Sequence, residues 1–157
     1  MVTAGSKLDL DFTVTAIKDG EKQEVSFQDL IDRPTVVSVY MKNNTPGRNR
    51  QNKSLADYSE YFGKLGYNVL AISKDGPTSH QRYADKLNIN YTLVSDPEYK
   101  FARATDSIVE KNMFGKKFKA PSRSAFVIDT DGTVLGVFEK VKLTDHGNQL
   151  KSFLETL

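Results

Sequence analysis

Two short runs constrain the fold more than anything else in the chain. "TVVSVYM" (Thr35 to Met41) and "YNVLAIS" (Tyr67 to Ser73) are almost continuously apolar and rich in β-branched residues. A strand with one wet face alternates; a run without alternation belongs to a strand covered on both faces, deep in a layered sheet. Between them, "SLADYSEYFGKLG" sets Leu55, Tyr58, Phe62 and Leu65 at helical spacing, and Gly66 suits the helix end. The expected unit is a buried strand, a helix laid on the sheet, and a second buried strand.

The remaining segments extend this layout. "LDFTVTAI" alternates with period two and stops at Asp19-Gly20, a turn signal, and "QEVSFQDL" then reads as a short strand or a helix start. "SHQRYADKLNI" places Tyr83 and Leu87 four apart on a helix, and "YTLVSD" is a further strand that Asp96-Pro97 ends before a short helix around Phe101. "SAFVIDTDGTVLGVFEKV" is a hairpin turning at Asp129–Gly132, and "HGNQLKSFLETL" is a terminal helix. The order implies an α/β protein with a mixed central sheet, helices on both faces and an N-terminal β-hairpin. With 157 residues, no repeat and no low-complexity linker, a single domain over residues 1–157 is expected.

Several functions are excluded or disfavoured by composition. The chain has no cysteine, so disulfides, thiolate metal sites and any mechanism needing a thiol of this chain are ruled out. The start, "MVTAGSKLDLDF", lacks an apolar h-region, and no run approaches a bilayer span; a soluble, cytoplasmic protein is expected. "DTDG" opens like a calcium loop without its distal glutamate, and a hairpin turn explains it. His80 and His146 lie far apart in the chain and are expected to be surface or locally satisfied groups rather than metal ligands. Ser54, Ser73 and Ser124 have no histidine that the sequence positions, so a serine-type triad has no support. Neither metal nor cofactor is expected.

The stretch "YMKNNTPGRNRQNKSL", Tyr40 to Leu55, lies at a strand-to-helix junction, where free helix N–H groups attract nucleophiles and anions. No nucleophile is visible there; Arg48 is. From Arg33 to Ala56 there is no acidic residue, while Arg33, Lys42, Arg48, Arg50 and Lys53 are basic. From Lys111 to Ile128 the same holds, with Lys111, Lys116, Lys117, Lys119 and Arg123. Brought together, the two segments would form one positive surface. The simpler expectation is two unrelated solvated stretches, and a net charge of +2 does not argue for nucleic acid.

"VVSVYMKNNTPGRNRQNKSL" resembles the active-site segment of the peroxiredoxins, specifically the bacterioferritin comigratory protein (peroxiredoxin Q) group, whose motif reads close to Tyr-Pro-Lys-Asp-x-Thr-Pro-Gly-Cys. The likeness continues through "YNVLAISKDGPTSHQRYADKLNINYTLVSDPEYKFARAT" into "EKNMFGKKFKAPSRSAFVIDTDGTV" and covers nearly the whole chain in order. It implies a thioredoxin-like fold. In that family a peroxidatic thiolate attacks peroxide, a helix N-terminus and an arginine lower its pKa, and a threonine hydroxyl with backbone N–H groups orients the substrate.

Carried over position by position, the resemblance makes Thr45 the threonine and Arg123 the arginine. Met41 stands at the proline position, Arg48 at the peroxidatic cysteine and Lys53 at the resolving cysteine. A guanidinium stays protonated and is no nucleophile, so the family's peroxidase route is expected to be closed. Three readings remain: an inactive peroxiredoxin-like protein that binds or regulates something, an enzyme of different chemistry in the remodelled basic pocket, or a family member working through a partner's cysteines. The first is the reading adopted; for Arg48 the simpler expectation is that it swings outward into solvent or onto a carboxylate, and the sharper hypothesis is a small anion held weakly by Thr45, Arg48 and Arg123. The expected partners are that anion or a peroxiredoxin relative, with neither membrane nor nucleic acid, in a monomer or homodimer. Arg48 is expected to enter a helix opposite Arg123 on a neighbouring strand.

Overall fold

The computed structural model describes residues 1–40, 42–43, 45–142 and 145–157. Its centre is a mixed sheet built on the two apolar, β-branched runs. β3 (Thr35–Val39) and β4 (Asn68–Ser73) pair in parallel, Val37 opposite Leu70. β5 (Thr92–Ser95) lies parallel to β4 on the other side. The remaining strands pair antiparallel. β1 (Thr13–Lys18) joins β5 and carries β2 (Glu21–Ser26) at one edge, while β8 (Ala125–Ile128) joins β3 and carries β9 (Val134–Phe138) at the other. The order is β2-β1-β5-β4-β3-β8-β9.

Alternation along β3 and β4 sorts their side chains between two cores. Val37, Val39, Leu70 and Ile72 face a layer closed by Phe27 of α1 (Phe27–Leu30) and Phe101 of α4 (Lys100–Ala104). Val36, Tyr40, Val69 and Ala71 face the opposite layer. That layer is covered by α2 (Pro46–Lys64), α3 (Pro77–Leu87) and α5 (His146–Leu154) through Leu55, Phe62, Tyr83 and Leu150. All five residues of β3 are buried, as its unbroken apolar run requires. None of the described helices is long and apolar enough to cross a membrane.

Most element expectations hold, and the hairpins turn where their sequences indicate. Asp19 and Gly20 both take positive φ, 52° and 78°, as a two-residue hairpin between right-twisted strands demands. Gly66, at φ 92°, ends α2 as expected. Three details differ. α2 begins at Pro46, ahead of Ser54, because its first turns are polar outside and bury Gln51 and Asn52 inside, a pattern hydrophobic spacing does not register. Leu65 is not on the buried face; it sits at the helix C-cap and is 42% exposed. Between α4 and β8 the chain forms an antiparallel ribbon that its lysine-rich sequence did not announce, β6 (Ile108–Met113) with β7 (Lys116–Pro121).

The seam between α2 and α5 leaves no room for a side chain at Gly147. Gly147 donates its N–H to Ser54 Oγ at 2.9 Å. A Cβ on Gly147 would stand 2.7 Å from the Ser54 carbonyl oxygen and collide with the Tyr58 ring. Gly147→Ala is therefore expected to destabilise the fold by about 1–3 kcal/mol through overpacking, despite alanine's better helix propensity. Urea denaturation monitored by circular dichroism measures it, and an unchanged or raised midpoint would mean that the seam yields freely.

Candidate functional site

Thr45 is the N-cap of α2, with extended φ and ψ, and Pro46 occupies the first helical position, where its missing N–H costs nothing. Such a threonine ordinarily turns its hydroxyl onto a first-turn N–H. Here it makes no capping bond, and Thr45 Oγ1 is buried without a partner among the described residues. One turn on stands Arg48, in a first turn that contains no acidic residue. Its Nε is buried without a partner as well, and so is Nε of Arg123.

Arg48 and Arg123 lie within electrostatic reach of each other. Partial burial lowers the pKa of Arg48, and the positive charge of Arg123 lowers it further. Lys111, on β6, is depressed first by burial and then by both guanidinium groups. The two basic stretches expected to be unrelated thus meet at the start of α2, which corrects that expectation. No ion pair to Arg48 or Arg123 is found among the described residues, so neither guanidinium is neutralised by a carboxylate. Arg123 itself is not on a strand as expected. It lies in the link between β7 and β8, because Pro121 ends the ribbon and Ala125 starts the next sheet strand. Lys53 is exposed on α2. Met41 lies outside the described residues.

Beneath this first turn is a buried polar layer. Gln51 Nε2 donates to Ser38 Oγ at 3.0 Å, and Ser38 Oγ lies 2.9 Å from His146 Nε2. His146 Nδ1 is 3.4 Å from Gln149 Oε1, whose amide nitrogen donates to the Lys140 carbonyl at 2.9 Å. One tautomer satisfies the imidazole: the Ser38 hydroxyl donates to Nε2, and Nδ1–H donates to Gln149, while Gln51 Oε1 is left without a partner among the described residues. A second network fixes the loop before α2. Tyr40 OH donates to Asn43 Oδ1 at 2.6 Å, and the Asn43 N–H donates to Asp75 Oδ2 at 2.8 Å. Asp75 also accepts from Ser73 Oγ at 2.7 Å, and His80 Nε2 lies 3.4 Å from the same hydroxyl.

Both histidines are therefore fully buried and locally satisfied, not surface groups. Burial holds each ring neutral, with a pKa lowered to about 4. Each also stands beside a serine, Ser38 for one and Ser73 for the other, against the expectation that Ser73 had no positioned histidine. Neither pair is a nucleophile. Ser38 and His146 are completely buried, so no substrate carbonyl reaches the hydroxyl, and the Ser73 proton is committed to the Asp75 carboxylate.

With the geometry described, the comparisons decide the lineage. Residues 7–137 match the AhpC/TSA family. A putative peroxiredoxin Bcp of Coxiella burnetii is 35% identical over 126 residues, covering 80% of this chain and 83% of the relative. The peroxiredoxin Bcp of Escherichia coli is 31% identical over 140 residues, 89% of this chain and 90% of its own. The chain belongs to the AhpC/TSA family, in its peroxiredoxin Q (Bcp) branch. Among solved structures, the bacterioferritin comigratory protein of Xanthomonas campestris superposes with a TM-score of 0.87 at 27% identity, covering 98% of both chains. A peroxiredoxin Q of Xylella fastidiosa matches the fold at a TM-score of 0.89 over 99% of this chain and 97% of its own. The thioredoxin-like fold follows, on a peroxiredoxin chain that carries no cysteine.

The sequence reading named Lys111 only as one of a basic stretch, and it passed over Ser38 and Gln51 of the polar layer. The Lys111-to-Arg48 approach depends on how the ribbon folds back, and no spacing encodes it. Ser38 sits in an apolar run, where the one polar residue facing the helix side was the available signal.

The buried histidines set a pH dependence. Their folded pKa values lie below the unfolded value near 6.5, so the unfolded chain takes up the protons first. The stability gained by keeping both rings neutral is complete above about pH 6.5 and is lost as pH falls toward 4. Each ring contributes a limiting slope of roughly 1.4 kcal/mol per pH unit. Asp96, raised mainly by burial, works in the opposite direction and makes the net slope shallower. Melting temperature is expected to drop between pH 6.5 and 4.5, while both imidazole NMR signals stay untitrated above pH 5. Either ring titrating near 6.5 would contradict this.

Proposed function

We propose that this peroxiredoxin Q relative is inactive as a thiol peroxidase and serves as an anion-binding protein, its ligand held by Thr45, Arg48 and Arg123 at the start of α2. One observation carries the reading: Thr45 Oγ1, Arg48 Nε and Arg123 Nε are all buried without hydrogen-bond partners among the described residues. Buried polar atoms are nearly always paired, and these three donors stand where a helix start already favours negative charge. An anion supplies acceptors to all of them and neutralises the repulsion between the guanidinium groups.

The inactivity follows from chemistry. The Xanthomonas relative was studied for its alkyl peroxide reduction activity. Peroxide reduction by the family route needs a thiolate to attack the O–O bond, and this chain has none. Purified protein is expected to consume no hydrogen peroxide catalytically with thioredoxin or dithiothreitol. Arg48→Cys is expected to restore only a slow reaction, since Met41 stands at the position of the family's proline. Turnover by the unaltered chain above a buffer control, or a variant as fast as an ordinary relative, would refute the respective claim.

Binding is read by mass action. A ligand at a hundredfold excess over its Kd adds about 2.7 kcal/mol, a rise in Tm of roughly 5–10 °C for a chain of this size. Phosphate or sulfate titrated at fixed ionic strength should raise Tm in the natural chain and not in the Arg48→Ala, Arg123→Ala double variant. Equal stabilisation of both would leave Arg48 as a surface charge at a lost active site.

A further inference from the structure

The ribbon β6–β7 ends in a turn whose side chains the fold does not use. Met113 pairs with Lys116, so Phe114 and Gly115 are the two loop residues, and both take positive φ, 54° and 77°. Such a turn favours Asn or Asp before its glycine, and a bulky side chain there is uncommon. Phe114 is 98% exposed, so no packing within the chain offsets its unfavourable backbone conformation. Met113 beside it is 54% exposed. Single exposed apolar residues are ordinary on a surface; an aromatic held outward at a strained apex, next to an exposed methionine, is not.

The charge around this apex is mostly of one sign. From Ile108 to Pro121 there are four lysines, Lys111, Lys116, Lys117 and Lys119, against one acidic residue, Glu110. Directly opposite residues of an antiparallel pair share a face. Lys116, opposite Met113, is therefore on one face, while Lys117 and Lys119, opposite Asn112 and Glu110, are on the other. Glu110 lies 3.8 Å from Lys117, and no ion pair to Lys116 or Lys119 is found among the described residues. Lysines along a free edge guard against strand pairing, which accounts for the cations but not for the phenylalanine they surround.

The root of the ribbon is fixed. The Ser122 N–H donates to the Ser107 carbonyl at 2.8 Å, and Phe118 and Ala120 line a cavity with Tyr40 and Phe101. One face is thus held to the body near the root, and only the tip is free on both faces. A duplex groove takes a ribbon along a whole face. A planar headgroup layer met end-on needs the tip alone. The dimensions agree: apolar groups of surface-bound proteins settle roughly 5–10 Å into the headgroup–acyl boundary. Lys116 and Lys117 stand one and two rungs behind the turn, roughly 3–7 Å at the rise of a strand, which brings them to the level of the phosphates.

We propose that the β6–β7 tip docks on a membrane surface bearing anionic lipids. Phe114 and Met113 enter the headgroup–acyl boundary, and Lys116, Lys117 and Lys119 meet the lipid phosphates. The expectation of no membrane partner rested on the lack of a spanning run, which surface docking does not need. With one aromatic and three lysines the binding is reversible and weakened by salt.

The chain contains no tryptophan, so Phe114→Trp places a single fluorescent reporter at the tip. Its emission is expected to shift to the blue with phosphatidylcholine vesicles containing about a third phosphatidylglycerol, and not with phosphatidylcholine alone. In co-sedimentation with the anionic vesicles, Phe114→Asn and the double variant Lys116→Gln, Lys117→Gln are each expected to bind at least ~fivefold more weakly than the natural chain. Phe114→Asn should melt no lower than the natural chain, because asparagine suits the turn, so its loss of binding is separable from unfolding. The control Lys22→Gln, Lys64→Gln makes the same charge change on β2 and at the end of α2 and should bind as the natural chain does. Equal loss in that control, or undiminished binding by Phe114→Asn, would reduce the effect to diffuse surface charge and overturn the proposal. Absence of vesicle binding would overturn it too, as would a reporter shift produced by duplex DNA and not by vesicles, which would assign the tip to nucleic acid.

Discussion

The Ser38 hydroxyl accepts a hydrogen bond from Gln51 and donates one to a neutral His146, and the orientation of the α2 start depends on that pair of contacts. The three residues lie on β3, α2 and α5, so one oxygen ties a central strand to the two helices packed over it. All three side chains are fully buried, which makes the arrangement costly to break and intolerant of a charged imidazole. The second network holds the other end of the junction, where the Asn43 N–H is pinned to Asp75 and Tyr40 to Asn43. Arg48 is thereby presented from a helix whose first turn is fixed on its inner side and unconstrained by acids on its outer one.

Such a cluster of like charges is electrostatically unfavourable by itself. A cation in the first turn opposes the helix macrodipole, at a cost of roughly 0.3–1 kcal/mol, and Arg123 and Lys111 add like charges. Solvent moderates this, since none of the three side chains is fully enclosed. Two features keep the arrangement compatible with a folded chain. Guanidinium is weakly hydrated and tolerates partial burial better than ammonium does. The underlying apolar layers, with Val36, Leu55, Phe62 and Leu150 wholly buried, supply stability unconnected with the site.

Much of the fold was legible because its signals are local. The unbroken β-branched runs gave β3 and β4, the Asp19-Gly20 turn gave the N-terminal hairpin, and Asp129–Gly132 gave the turn between β8 and β9. What was hidden depends on contacts distant in sequence. The β6–β7 ribbon reads as a charged stretch, since its lysines face solvent on one side and its apolar residues are few. The histidines were expected to be surface or locally satisfied groups, and the second alternative holds; the partner of His146, Ser38, lies 108 positions away in the chain and could not be read from spacing. The family resemblance pointed to Thr45, Arg48 and Arg123, while the orphaned state of their polar atoms is visible only in the folded chain.

That orphaned state has a direct reading in terms of charge. In the family chemistry a thiolate at the Arg48 position supplies its own anion to the helix start, the threonine and the arginine. Arginine at that position reverses the sign of the local charge while the groups that served the anion remain: Thr45 still presents its hydroxyl, and Arg123 still approaches the helix start. On the function proposed above, an external anion takes the place of the internal counter-ion. The buried layer below keeps both its imidazoles neutral and so supplies no counter-charge. The proposal of an anion brought from solution thus rests on the same groups that, in the family chemistry, stabilise a reactive anion of the chain.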